Sequence, residues 1–203
     1  MERERGGGED GADMERRRAS YADLEALPAH RVGEIIAGTL YSSPRPAIPH
    51  AVVASFLGGA LFGPFGLGQG GPGGWVILDE PELHLEEDVL VPDLAGWRRE
   101  RLPRVPRAAA FTLAPDWVGE VLSPSTQALD RTTKMPVYAR EGVRHVWLVD
   151  PTARTLEVFR LEGACYALQG THSGLASVRA EPFEALELKL AILWDEEPDN
   201  GKS

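Results

Sequence analysis

Short apolar runs broken by glycine and proline dominate this chain, and they predict many strands and few helices. Val32 to Tyr41 reads as a β-hairpin, with Glu34-Ile35-Ile36 and Thr39-Leu40-Tyr41 flanking a turn at Ala37-Gly38. Pro44, Pro46 and Pro49 then break regular structure. Ala51 to Phe62 is apolar, rich in small residues and long enough for a buried helix, although Gly58-Gly59 weakens it. Gly63 to Gly74 reads as a loop. It lacks the Lys-Ser/Thr ending of a phosphate-binding loop, so no nucleotide site is expected there.

Trp75 to Leu78, Val89 to Trp97 and Asp116 to Leu122 read as strands, and Glu80 to Leu85 alternates as an edge strand would. Ser123-Pro124-Ser125 stops the third of these and offers hydroxyls for a helix N-cap. Thr126 to Arg140 reads as a helix that Pro136 should kink or delay, and Gly142 ends it. Arg144 to Val149 is a strand, Asp150-Pro151 a turn, Thr155 to Leu161 another strand, and Tyr166 to Gly170 an added edge. Glu187 to Trp194 fits strand and helix equally. Such a mix implies an α/β or α+β fold, a mixed β-sheet flanked by helices with an N-terminal β-hairpin.

A length of 203 residues suits one domain with a substantial core. Residues 1–20 are polar and Gly-rich and are expected to be disordered, 21–194 to form the domain, and 195–203 to be an acidic tail. Composition is that of a soluble globular protein. No apolar run reaches the roughly 18 residues that would span a bilayer, and the N-terminus carries no secretory h-region, so no membrane partner is expected. Cys165 is the only cysteine, which removes disulfides and Cys-rich metal sites and favours a reducing, cytoplasmic setting. The net charge of -10 argues against strong non-specific nucleic-acid binding but not against a nuclease, whose bound cations offset acidic residues. Arg98, Arg99, Arg101, Arg104 and Arg107 form a basic cluster soon after Asp93, which Arg140 and Arg144 could extend; a solvated arginine-rich loop is the plainer reading.

Two carboxylates, Asp93 and Glu120, stand inside apolar runs, where a lone charge is costly to bury. Phosphodiester hydrolysis needs a nucleophilic water and relief of charge on the phosphate, and a hard divalent ion held by carboxylates supplies both. Asp93 and Glu120 could hold such an ion with the Val121 backbone carbonyl as a third ligand. Lys134 could orient or help deprotonate the water and stabilise the charge, with Tyr138 four residues on. Each has a plainer reading: a surface Asp130–Lys134 pair with a packed tyrosine, a Pro-Asp turn at Asp93, an exposed strand glutamate at Glu34 and a cap at His50. Glu82 with His84 is too small a set for a metal site, and His145 is expected to pack. Ser123 lacks a Gly-x-Ser-x-Gly elbow and a histidine partner, which sets serine hydrolysis aside.

The ordered set formed by Glu34-Ile35-Ile36-Ala37-Gly38-Thr39-Leu40, His50, Val91-Pro92-Asp93-Leu94-Ala95, Glu120-Val121-Leu122-Ser123-Pro124-Ser125-Thr126, Asp130, Lys134, Tyr138, Gly142-Val143 and Trp147-Leu148-Val149-Asp150-Pro151 resembles the Uma-two family. That family consists of restriction endonuclease-like proteins of the PD-(D/E)XK nuclease superfamily, and the resemblance spans about residues 24–193. It implies a Mg²⁺- or Mn²⁺-dependent endonuclease acting on DNA. Asp93 and Glu120 would be its acidic pair and Glu34 a further site acid, with Tyr138 and His50 as accessories. The superfamily lysine should stand at position 122, where this chain has Leu122; the resemblance implies that Lys134 replaces it from the following helix. Leu122 and the net acidity also motivate a catalytically silent module that binds nucleic acid or protein. The tryptophans and apolar strands raise homodimerisation as a further expectation.

Overall fold

Turn chemistry and strand periodicity build separate sheets rather than one. The computed structural model describes residues 17–194; expectations for residues 1–16 and for the tail 195–203 lie outside the described residues. Residues 17–20 lead into α1 (Tyr21–Glu25), with the Ala19 amide donating to the Gly38 carbonyl at 2.7 Å. The hairpin is β1 (Arg31–Ile36) and β2 (Thr39–Pro44), closed by Ala37 and Gly38 at φ 52° and 76°. Positive φ at both central residues gives a type I′ geometry, whose twist matches that of the flanking strands.

α2 (Ile48–Leu61) starts three residues earlier than its apolar pattern implied, because Pro49 sits in the first turn, where no amide is needed. It continues as a π-helical turn, Phe62–Gly66, into the expected glycine loop. Val53, Leu57, Leu61 and Phe65 recur every four residues and are buried, and this packing overrides the weakness of Gly58 and Gly59. Among the described residues, Ile48–Gly66 is the one helical stretch long and apolar enough, by length and composition, to cross a membrane, although no such stretch was expected. Its buried side chains belong to the larger core.

β3 (Trp75–Asp79), β4 (Leu83–Leu85), β5 (Asp88–Leu90) and β6 (Leu94–Arg98) follow. The expected single strand Val89–Trp97 is therefore two, and they lie in different sheets. Pro92 cannot donate to a ladder, so the chain leaves one sheet and enters the other there. β7 (Trp117–Val121) leads to a composite helix of α3 (Gln127–Leu129), a π-helical turn (Asp130–Lys134) and α4 (Met135–Arg140). The expected disturbance at Pro136 is thus a π turn just before it. A Schellman ending stops the helix: Gly142 (φ 73°) donates to the Ala139 carbonyl and Val143 to that of Tyr138.

β8 (His145–Asp150), β9 (Thr155–Glu162) and β10 (Cys165–Ser173) follow, then β11 (Ser177–Val178), β12 (Leu188–Lys189) and a 3₁₀ turn, Leu190–Trp194. A six-stranded mixed sheet has the order β10-β9-β8-β7-β6-β3, and a four-stranded antiparallel sheet the order β2-β1-β5-β4. Only β7 and β8 pair in parallel in the larger sheet, as a strand–helix–strand crossover requires. Alternation sends Trp117 and Val121 to one face, packed on α2, and Val118 and Leu122 to the other, packed on α4 and the smaller sheet. The fold is α+β, with mixed sheets and flanking helices, as the pattern predicted.

Candidate active site

Glu120 shares the alternation of Val118 and Leu122, so it points to the face carrying α4. Gly119 beside it leaves room for an indole: a Cβ there would meet Trp117 at 2.9 Å. Glu34 has the parity of buried Ile36 on β1, and Asp93 stands at the crossing between β5 and β6. The π turn carries Lys134, and the Schellman ending fixes Tyr138 four residues later. These elements meet at the C-terminal end of β7, a usual position for sites in sheets with parallel crossovers.

Lys134 lies at the centre. Its ammonium is 2.8 Å from Glu120 Oε1, 3.1 Å from Glu34 Oε1 and 3.4 Å from Asp130 Oδ1. Glu34, Glu120, Asp130 and Lys134 are all buried, so the surface reading of Asp130–Lys134 and the exposed-strand reading of Glu34 both fail. The Tyr138 hydroxyl donates to Glu120 Oε1 at 2.6 Å, and the Val91 amide to Glu34 Oε1 at 2.9 Å. Asp93 accepts the Val121 amide on Oδ2 at 2.7 Å, and its Oδ1 lies 3.2 Å from His50 Nε2. The Asp93 amide approaches Glu120 Oε2 at 3.5 Å. Helix α2 thus delivers His50 from the opposite face of the sheet to the same point. All these side chains except Tyr138 line a cleft of about 270 Å³, walled by Pro44 and Pro46 on one side and Ser123–Thr126 on the other.

Burial raises the Glu120 carboxyl well above the ordinary value against the pull of Lys134, and the charges of Asp130, Asp93 and Glu34 push the same way. Burial also raises Asp130, opposed by Lys134 and the Thr126 hydroxyl. Burial disfavours the Lys134 ammonium, but Glu120 and then Glu34 outweigh it and hold the amine well above its usual range. Lys134 is therefore a fixed cation at neutral pH. Burial works against charged His50 too, yet the hydrogen bond and charge of Asp93 raise it.

Leu122 is buried in the core under α4, where a lysine would have no cleft to reach. The ammonium arrives instead from the helix. Asp130 is the residue that sequence spacing hid, because an i,i+4 pair with a lysine ordinarily faces water. Glu82 and His84 meet at 2.7 Å outside the cleft. His145 packs at the other end of β8, 3.8 Å from Glu181. The arginines after β6 do not join the site: the strand from Leu94 to Arg98 separates Asp93 from Arg99, about 20 Å at the usual rise. Arg140 binds Asp88 and Glu141 instead.

Among the described residues, no three or more His, Cys, Asp or Glu side chains form a group that could hold a metal ion. The Lys134 ammonium stands where three of the acids converge. The donor set still suits a hard divalent cation, because Mg²⁺ takes one or two carboxylates and keeps several waters. Four carboxylates face one ammonium and one imidazole, leaving negative charge in excess.

The fold is shared by a solved structure titled "Crystal structure of a putative nuclease belonging to DUF820" from Anabaena variabilis ATCC 29413. The two share a TM-score of 0.67 and 24% sequence identity, over 85% of this chain and 94% of that one. The model of the Uma2 family, described as "Putative restriction endonuclease", matches residues 19–192, and the chain belongs to that family. No curated protein matches this chain.

Proposed function

We propose that this protein is a divalent-metal-dependent endonuclease that hydrolyses DNA phosphodiester bonds. The observation that carries this reading is the convergence of Glu34, Glu120 and Asp130 on the Lys134 ammonium, with Asp93 alongside, in a cleft at the end of β7. Asp93 and Glu120, with the Val121 carbonyl, would hold Mg²⁺ or Mn²⁺. Bound there, the ion would make a water nucleophilic at neutral pH and offset charge on the phosphate. The remaining work falls to the chain itself. Lys134 keeps its proton and supplies fixed positive charge, which stabilises charge developing on phosphate oxygens. Tyr138 fixes Glu120 Oε1 and the Val121 amide fixes Asp93 Oδ2, while Glu120 Oε2 meets the Asp93 amide and Asp93 Oδ1 meets His50, so both carboxylates are held in a set orientation. Glu34 anchors the ammonium through its own bond from the Val91 amide, and His50 orients Asp93.

The test is cleavage of supercoiled and linear DNA in Mg²⁺ and Mn²⁺. Asp93→Asn and Glu120→Gln should each lower the rate by about 10²-fold or more, as loss of a group stabilising the transition state does. Cleavage by both variants at the wild-type rate would end the assignment. DNA binding by the wild type with no cutting in either metal would favour the silent module instead.

A further inference from the structure

We infer that the loop from Arg98 to Asp116, at the end of the larger sheet remote from the cleft, is a docking surface for the phosphate backbone of nucleic acid. This deepens the nuclease reading and rests on it for the choice of ligand. The loop leaves β6 at Arg98 and returns at Asp116, whose carboxylate accepts the Arg98 amide at 2.8 Å. It holds five arginines against Glu100 and Asp116, in a chain of net charge -10. Arg101 pairs with Asp116 at 2.8 Å, and the Arg98 guanidinium lies 4.6 Å from the centre of the Trp75 ring. Arg99, Arg104 and Arg107 are exposed and have no side-chain partner among the described residues. Arg144 is also exposed and has no side-chain partner among the described residues, and its neighbour His145 bonds through its amide to the Asp116 carbonyl.

Among the described residues elsewhere, Arg17, Arg18, Arg131, Arg140 and Arg160 all hold carboxylates. Unpaired guanidiniums gathered on one loop suit a ligand that brings its own regularly spaced anions. Each strand of a duplex presents a phosphate every ~3.4 Å of helix axis, and each contact releases counterions. The loop and the cleft lie about 20 Å apart along β6. A ligand must therefore run for about six nucleotide steps to touch both. Short substrates should gain nothing from the loop, and long ones should.

The experiment measures binding of the full chain to a 20-base-pair duplex without added metal, so that cleavage plays no part, across a salt series. The triple variant Arg99→Gln, Arg104→Gln, Arg107→Gln should flatten the dependence of log affinity on log salt by about one unit per arginine removed. The matching triple lysine variant should keep the wild-type slope. Hydrolysis of bis(p-nitrophenyl) phosphate, which is too short to span the gap, should be unchanged in both. A slope unaffected by the glutamine variant overturns the inference. So does an unaffected slope with weakened binding to poly-glutamate, which would assign the loop to acidic polypeptides. Failure of the Asp93 and Glu120 tests would leave these binding results standing, so the two readings are tested separately.

Discussion

Two regions of this molecule are equally hidden from water and are held by opposite means. On one face of the larger sheet, Phe183 touches Phe65, Trp75, Trp117 and Trp147, with ring centroids 4.7 to 5.6 Å apart. At the end of the same sheet, Glu34, Glu120 and Asp130 surround Lys134. Trp117 is 0% exposed and Glu120 2%, so depth does not distinguish them. The aromatic cluster gains from leaving water at about 25 cal/mol per Å² and asks little of geometry. The charged cluster loses hydration and recovers it only while every partner is in place. The first region holds the sheet together; the second is kept at a cost that folding alone does not require, and it lines the cleft.

The sharpest way to break the comparison is to remove the centre of each. Lys134→Met leaves the buried carboxylates without a counter-charge, and should cost about 3–5 kcal/mol. Phe183→Ala should cost a similar ~3–5 kcal/mol through the cavity it leaves. Denaturant titration measures both losses. They part in the second substitution: adding Glu120→Gln to Lys134→Met should restore some stability, because one uncompensated charge is gone, whereas adding it to Phe183→Ala should not. Equal behaviour of the two double variants would mean that the acids around Lys134 carry no unpaired charge.

A smaller effect probes how closely the charged region is satisfied. The Tyr138 hydroxyl is held 2.6 Å from Glu120 Oε1, and burial and the Glu120 charge keep its proton on. Tyr138→Phe preserves the packing and deletes one hydrogen bond to a charged group. It should cost about 1.5–3 kcal/mol. A loss below ~0.5 kcal/mol would show that Lys134 alone fixes Glu120.

The same contrast explains what could be read before any coordinates. The aromatic region followed from alternation: Trp117 and Val121 on β7, and Trp147 and Val149 on β8, share a face because strands repeat every two residues. Asp93 and Glu120 stood out for the same reason, as charges inside apolar runs. The membership of the cluster was harder. Asp130 lies four residues from Lys134, a spacing typical of a solvated helix pair, but Glu34 on β1 and Glu120 on β7 meet the same ammonium and the pair is buried. The break at Pro92-Asp93 was written as proline, yet an apolar run on both sides disguised a change of sheet. The arginines after Asp93 are near it in the chain but not in space, as the plainer reading of a solvated loop implied. A strand extends ~3.4 Å per residue, so five residues carried them to the far end. Leu122 was legible as a departure, but its reason, a place in the core under α4, is a packing fact.

The smallest predicted effect lies where a titratable ring meets the aromatic face. His145 begins β8 next to Trp147, whose indole donates to the Glu181 carbonyl at 2.7 Å. Glu181 and Glu184 favour a charged ring, Arg98 and Arg160 oppose it, and burial outweighs the rest and lowers the His145 pKa below its ordinary 6.5. Below pH 6.5 the unfolded chain therefore binds a proton that the folded chain refuses. Stability contributed by the neutral ring is present above that value and is lost as pH falls toward the depressed folded pKa. The loss is at most about 1.4 kcal/mol for each pH unit crossed in that window. His145→Gln keeps a polar side chain without the titration, so its stability should fall less than wild type between pH 7 and pH 5. Denaturant midpoints at the two pH values measure this. Parallel declines in the two proteins would mean that the ring is protonated as readily in the fold as out of it, and that the aromatic face tolerates a charge at its edge.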